Sequence, residues 1–128
     1  MRNTAVLDAN VILRYLLDDH PEHSPVAREL LGQVRTGDRL AYVPEGVLVE
    51  CVFVLLKVYA VPRPEVADKL RGVLSFRGVL ADNRDLLLES LRLFDEKNVD
   101  IVDAIVHVTA QRRGWEAVSF DKDLTKLT

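Results

Sequence analysis

The sequence predicts an α/β fold: a central, mostly parallel sheet of four to five strands, flanked by helices on both sides. Three observations predict it. Short β-prone apolar runs recur along the chain, and each is followed by a longer segment of helical character, the alternation that builds parallel sheets. The runs are mostly apolar, as expected of strands covered on both faces. Pro, Asp, Asn and Gly fall where the helical segments should open and close. With 128 residues, a single domain over 1–128 is expected, and it is long enough for a core without disulfides or structural metals.

The elements run in order. Residues 4–7 (TAVL) form a short buried strand ending at Asp8. Residues 10–17 (NVILRYLL) are helical, with Asp8 placed to cap them. DDHPEHSP is a loop, and Ser24-Pro25 is a cap and first-turn signal for a helix to about residue 35. Gly37-Asp38 turns the chain into a second strand at 40–43 (LAYV), and Pro44 starts a helix to about residue 59. Pro62 and Pro64 break that helix; another comes after it, to about residue 75. Residues 78–81 (GVLA) are a third strand. Asp82 or Asn83 caps a helix over 84–97, whose apolar positions 87, 88, 91 and 94 keep helical spacing. Residues 100–112 are the last helix, ended by Gly114, before a fourth strand at 117–120 (AVSF) and the tail DKDLTKLT. No repeat, linker or low-complexity segment interrupts the series.

Composition narrows the function. Apolar residues make up 48% and charged residues 29%, an ordinary globular balance. The formal net charge of −3 excludes a general basic binder of nucleic acid, but not an enzyme whose acidic metal site contributes the negative charge. Residues 57–84 carry six Lys/Arg against three Asp/Glu, which suits either phosphate contacts or a solvated helix face. Cys51 is the one cysteine, so no intrachain disulfide forms; it reads as a small core residue of a cytoplasmic protein. No signal peptide is expected ahead of the first strand, and no apolar run is long enough to span a membrane.

Residues 47–56 (VLVECVFVLL) hold the sharpest signal: nine apolar residues and Glu50. An ionised carboxylate in an apolar setting neutralises, pairs or binds a metal. Asp8 and Asp121 end the first and fourth strands, and Asp103 and Glu50 lie near the starts of apolar helices. Sites in open α/β sheets form beyond the carboxyl ends of strands, where all four acids can meet. Structural roles stand beside this. Asp8 also suits a helix cap, Asp103 pairs with Asp100 as an Asp-based analogue of a capping box, and Asp121 and Asp123 suit a turn. A buried Arg partner is the alternative for Glu50.

Clustering has an electrostatic consequence. Two like charges about 4 Å apart repel by roughly 4 kcal/mol at an effective dielectric of 20. A hard divalent cation such as Mg2+ resolves this, since it takes oxygen ligands and keeps waters that hold further acids. His20 and His23 lie in a Pro-containing acidic loop and read as a solvated pair rather than metal ligands; His107 carries no catalytic signal. Carboxylates with Mg2+, and no evident nucleophilic Ser or Cys, suit phosphoryl chemistry with water as nucleophile. Neither a GxxxxGK[ST] loop nor a GxGxxG turn is present.

These segments carry a resemblance over nearly the whole chain. LDANVILRYLL, LVECVFVL, VDIVDAIVHVTA and VSFDKDL resemble, in order, the four motifs of PIN-domain ribonucleases, in particular the VapC toxins of prokaryotic toxin–antitoxin pairs. The resemblance implies a PIN-like parallel sheet flanked by helices, and Mg2+-dependent endonucleolytic cleavage of RNA with Mn2+ as a substitute. It also implies homodimerisation and inhibition by a VapB-like antitoxin that covers the site. It assigns Asp8, Glu50, Asp103 and Asp121 as metal and catalytic acids, with Asn10, Ser119, Asp100 and Asp123 in support. Arg14, one turn past Asn10, suits either a substrate phosphate or an ion pair. Two rivals remain. A Mg2+-dependent phosphatase or phosphotransferase of the haloacid dehalogenase type wants D-x-D where this chain has Asp8-Ala9-Asn10. An inactive α/β binding module would use its acids as caps and ion pairs.

Overall fold

A computed structural model describes residues 4–120 and Leu127. Strand β1, Ala5–Val6, pairs in parallel with β2, Ala41–Tyr42, with Ala5 opposite Ala41 and Val6 opposite Tyr42. The amides of Ala5 and Leu7 donate to the carbonyls of Leu40 and Tyr42, each at 3.0 Å. The expected third strand is reduced to one parallel bridge between Ala41 and Val79. It is held by Ala41 N–H to Gly78 O and Leu80 N–H to Ala41 O, both 2.8 Å. The expected fourth strand over 117–120 forms no ladder among the described residues, and its side chains are exposed. A short β-prone run becomes a strand only where its side chains find packing, and Val118 remains 78% exposed. Among the described residues the sheet is therefore two short strands and a bridge rather than four to five strands.

Among the described residues six α-helices accompany it: α1 (Ala9–Leu17), α2 (His23–Thr36), α3 (Glu45–Phe53), α4 (Arg63–Leu74), α5 (Arg84–Glu96) and α6 (Ile101–Arg113). Their ends obey local chemistry. Pro44 and Pro62 precede α3 and α4 in extended conformation, and Gly37 and Gly114 close α2 and α6 in the left-handed region. Helix α2 begins at His23 with Glu22 at its N-cap, so Ser24 lies in the first turn rather than at the expected cap. Its hydroxyl donates to Arg14 O at 2.9 Å and accepts from His20 N at 3.1 Å, tying α2 to the end of α1. The single long helix expected to reach residue 59 instead gives way, after α3, to a π-helical turn over Val54–Val58.

The core lies between the sheet and α1 to α5, and includes Leu7, Ile12, Leu31, Val34, Leu48, Cys51, Leu55, Leu70, Leu87 and Phe94. Burying each large apolar side chain contributes roughly 1.5–3 kcal/mol. A second, smaller cluster of Leu93, Val99, Ala104 and Val108 joins α5 to α6. Helix α3 packs against α1, α4 and α6, so residues on its surface lie close to the starts of α1 and α6.

Candidate functional site

The apolar run around Glu50 is explained by helical period rather than by a buried charge. At 3.6 residues per turn, Leu48, Cys51, Val52 and Leu55 face the core, while Glu50 and Phe53 face outward. Glu50 is exposed, so water stabilises its charge and no buried Arg is required. Asp8 is also exposed. It occupies the N-cap position of α1 in extended conformation, yet its side chain makes no capping hydrogen bond. Its backbone carbonyl, rather than its carboxylate, receives the amides of Val11 (3.2 Å) and Ile12 (3.4 Å).

These two acids, 42 positions apart, bear on one atom. Cys51 has no exposed surface, and its thiol lies 3.9 Å from the Ala9 carbonyl, where α3 meets the start of α1. Its pKa is pushed up from 9.0 to about 12, first by burial and then by the negative charges of Glu50 and Asp8. Glu50 precedes the cysteine and Asp8 precedes Ala9, so the α1–α3 contact brings both carboxylates within electrostatic reach of Cys51.

The third acid lies on the neighbouring helix. Asp103 is in the first turn of α6, is 9% exposed, and is one of three buried polar or charged residues among those described. Asp100 behaves differently: it is exposed, and its carboxylate accepts Val102 N–H at 2.8 Å as the N-cap of α6. The cap role expected for this pair thus falls to Asp100, leaving Asp103 on the inward face. Asn10 is exposed on α1, and Ser119 is exposed beyond α6. Asp121 and Asp123 lie outside the described residues.

Oxygen donors are what this edge offers a cation, and that suits a hard ion such as Mg2+. The Cys51 thiol stays protonated over the physiological range and is sealed from solvent. His20 Nδ1 already accepts the amides of Glu22 (3.2 Å) and His23 (2.9 Å), and its ring stacks on His23 with centroids 4.1 Å apart. Among the described residues no group of three or more His, Cys, Asp or Glu side chains is disposed to hold a metal ion. The described acids therefore provide fitting donors on adjoining elements but do not by themselves close into a coordination set.

Two arginines have partners that sequence reading did not supply. Arg14 pairs with Asp19 at 2.8 Å and donates to the Tyr59 hydroxyl at 3.2 Å, which raises its pKa chiefly through the Tyr59 bond. Arg63 donates from α4 to two carbonyls across the fold. A cation in the first turn of a helix opposes the helix dipole; that placement within VPRPEV is the sequence signal that Arg63 has an outside partner.

With this geometry in place, the chain is assigned: it belongs to the PIN domain family, whose family model matches residues 5–128. It is also similar to a VapC ribonuclease of Aquifex aeolicus (strain VF5), at 24% identity over 123 residues, which cover 95% of this chain and 90% of that protein. Among the described residues no helix is long and apolar enough to cross a membrane.

Proposed function

We propose that this protein is a Mg2+-dependent endoribonuclease, the toxin of a toxin–antitoxin pair, acting in the cytoplasm. The observation that carries the reading is the α1–α3 contact between Cys51 and Ala9, which sets their chain neighbours Glu50 and Asp8 on adjoining elements. That contact supports a reading in which these two carboxylates, distant in sequence, act together with Asp103 of α6. Family membership and similarity to a VapC ribonuclease support the same reading. The haloacid dehalogenase rival gains no support, since Asn10 stands where its second acid would be.

In this reading Asp8, Glu50, Asp103 and Asp121 hold the cation, and Mn2+ substitutes for Mg2+. The ion, when bound, lowers the pKa of water and offsets charge on the scissile phosphate. The chain's residues supply the rest. Glu50 or Asp8, both exposed to solvent, would accept a proton from the attacking water. Asp103, buried in the first turn of α6, would offer the cation an oxygen donor from a fixed position. Asn10 and Ser119 orient neighbouring acids or waters by hydrogen bonding, with Asp100 and Asp123 in support. A sheet of four to five strands belongs to the same proposal, since β1 has one strand partner among the described residues.

The surface points to the partners. Phe53 (60% exposed), Val58, Tyr59 and Val102 present exposed apolar area on α3, the π turn and its end, and α6, which supports a homodimer. A VapB-like antitoxin would cover the acidic edge. The test is purified protein on mixed RNA with Mg2+, Mn2+ or chelator, beside Glu50→Gln. Cleavage is expected with either metal, and none with chelator or the variant. Metal-independent cleavage, or full activity of Glu50→Gln, refutes the reading.

A further inference from the structure

We infer that Arg63 is a positioning residue for the acidic site, acting through the entrance to α6. This rests on the nuclease reading, and in particular on Asp103 as a metal-binding acid. One guanidinium nitrogen of Arg63, Nη1, donates to Phe94 O at 2.9 Å and to Val99 O at 2.8 Å. The guanidinium carbon lies 4.1 Å from the centroid of the Phe94 ring. Phe94 is in the last turn of α5, where carbonyls lack a donor from their own helix. Val99 is fully buried and directly precedes the cap Asp100. A single cation on α4 therefore closes both ends of the α5–α6 connection, which passes through Asn98 in the left-handed region at φ 54.

The consequence falls on Asp103. Asp8 and Glu50 are exposed, and their side chains have room to adjust toward a cation. Asp103 is buried, so the backbone of α6 decides where its carboxylate points. That backbone starts just beyond Val99 and Asp100, within the turn that Arg63 and the Asp100 cap fix between them. Loss of the Arg63 donors leaves two carbonyls to find other partners and lets the α6 entrance shift. Small displacements of a supporting group typically weaken metal binding about 10- to 100-fold.

The experiment titrates Mn2+ alone into the whole protein, without RNA, reading bound Mn2+ by electron paramagnetic resonance well below the melting temperature. Wild type, Arg63→Met and a control, Val66→Ala, are compared. Val66 is buried in the same helix as Arg63, so its truncation destabilises α4 without removing either carbonyl bond. We expect Arg63→Met to bind Mn2+ about tenfold more weakly, and Val66→Ala to bind as wild type does. Equal affinity of wild type and Arg63→Met overturns the inference and leaves the nuclease reading standing. Equal weakening in Val66→Ala also overturns it, since lost stability then explains both. A wild type that binds no Mn2+ removes the nuclease reading and this inference with it. Should Arg63→Met fail to fold, Arg63→Lys, which keeps donors without the planar fork, carries the same comparison; weaker Mn2+ binding is expected, and wild-type affinity overturns the inference.

Discussion

Replacing Glu50 with Gln should make the Cys51 thiol a stronger acid, although the two side chains point to opposite sides of α3. The thiol pKa is raised from 9.0 to about 12, by burial first, then by Glu50, then by Asp8. At 1.36 kcal/mol per unit this displacement amounts to ~4 kcal/mol, and near pH 9 it leaves about one thiol in a thousand ionised. Burial is unchanged by the substitution, so the pKa stays above 9.0 while the share due to Glu50 disappears. A several-fold rise in thiolate at fixed alkaline pH is expected for Glu50→Gln, a smaller rise for Asp8→Asn, and the largest for the double variant. Thiolate absorbance in the ultraviolet, followed against pH, measures this directly. A divalent cation bound between the carboxylates acts in the same direction, so Mg2+ should lower the Cys51 pKa in wild type and have little effect in the double variant. The folded pKa lies above the unfolded value, so this stabilisation is complete below about pH 9 and is lost as pH rises toward 12, at up to ~1.4 kcal/mol per pH unit. Cys51→Ala should lack that alkaline loss in urea-denaturation curves. A Cys51 pKa that moves in neither single variant refutes the claim that the two acids share an edge.

Gly78→Ala should destabilise by about 3 kcal/mol or more, because a Cβ would collide with the backbone oxygen of Arg39 and lie 2.8 Å from Val34 O; a urea midpoint close to wild type would refute this. Asp100→Ala should cost about 1 kcal/mol through loss of the α6 cap while largely sparing RNA cleavage, whereas Asp103→Asn should abolish cleavage with little change in melting temperature. Equal losses of cleavage in the two would show that the wrong acid of the pair has been assigned. Ala60 has φ 53, so Ala60→Gly should stabilise by up to ~1 kcal/mol and Ala60→Val should destabilise, as read from thermal melts.

The helices were legible in the sequence because their signals are local. Pro44, Pro62, Gly37 and Gly114 mark ends that the structure keeps, and the spacing of Leu87, Leu91 and Phe94 puts all three in the core. The sheet was less legible, since a run of four residues such as AVSF carries the same propensity whether or not a neighbouring strand receives it. Glu50 was singled out for an environment it does not have. The apolar run suggested a buried charge, but a helix with one face in the core leaves the opposite face to water whatever its flanking residues are. The choice of Asp103 over Asp100 came from family resemblance, and the Asp100 cap gives it a physical basis. The placement of Arg63 in the first turn of a helix signals an outside partner, but its partners were out of reach: Phe94 and Val99 lie more than thirty residues away and offer backbone carbonyls, to which residue identity contributes nothing.

The unequal burial of the acids bears on how such a site keeps its fold without a cation. Four buried carboxylates would strain the protein or take up protons. Here Asp8 and Glu50 stay in water, where their repulsion is screened and their charge costs little. Asp103 is the buried member of the three, and it sits in the first turn of α6, where the helix dipole favours a negative charge. That arrangement divides the work between the two kinds of acid. In the proposed nuclease the exposed pair would attract and adjust to a cation, while the buried acid would set its place through the backbone. Errors in the α6 backbone should therefore harm cation affinity more than equal errors near Glu50, because only the exposed side chains have freedom to compensate.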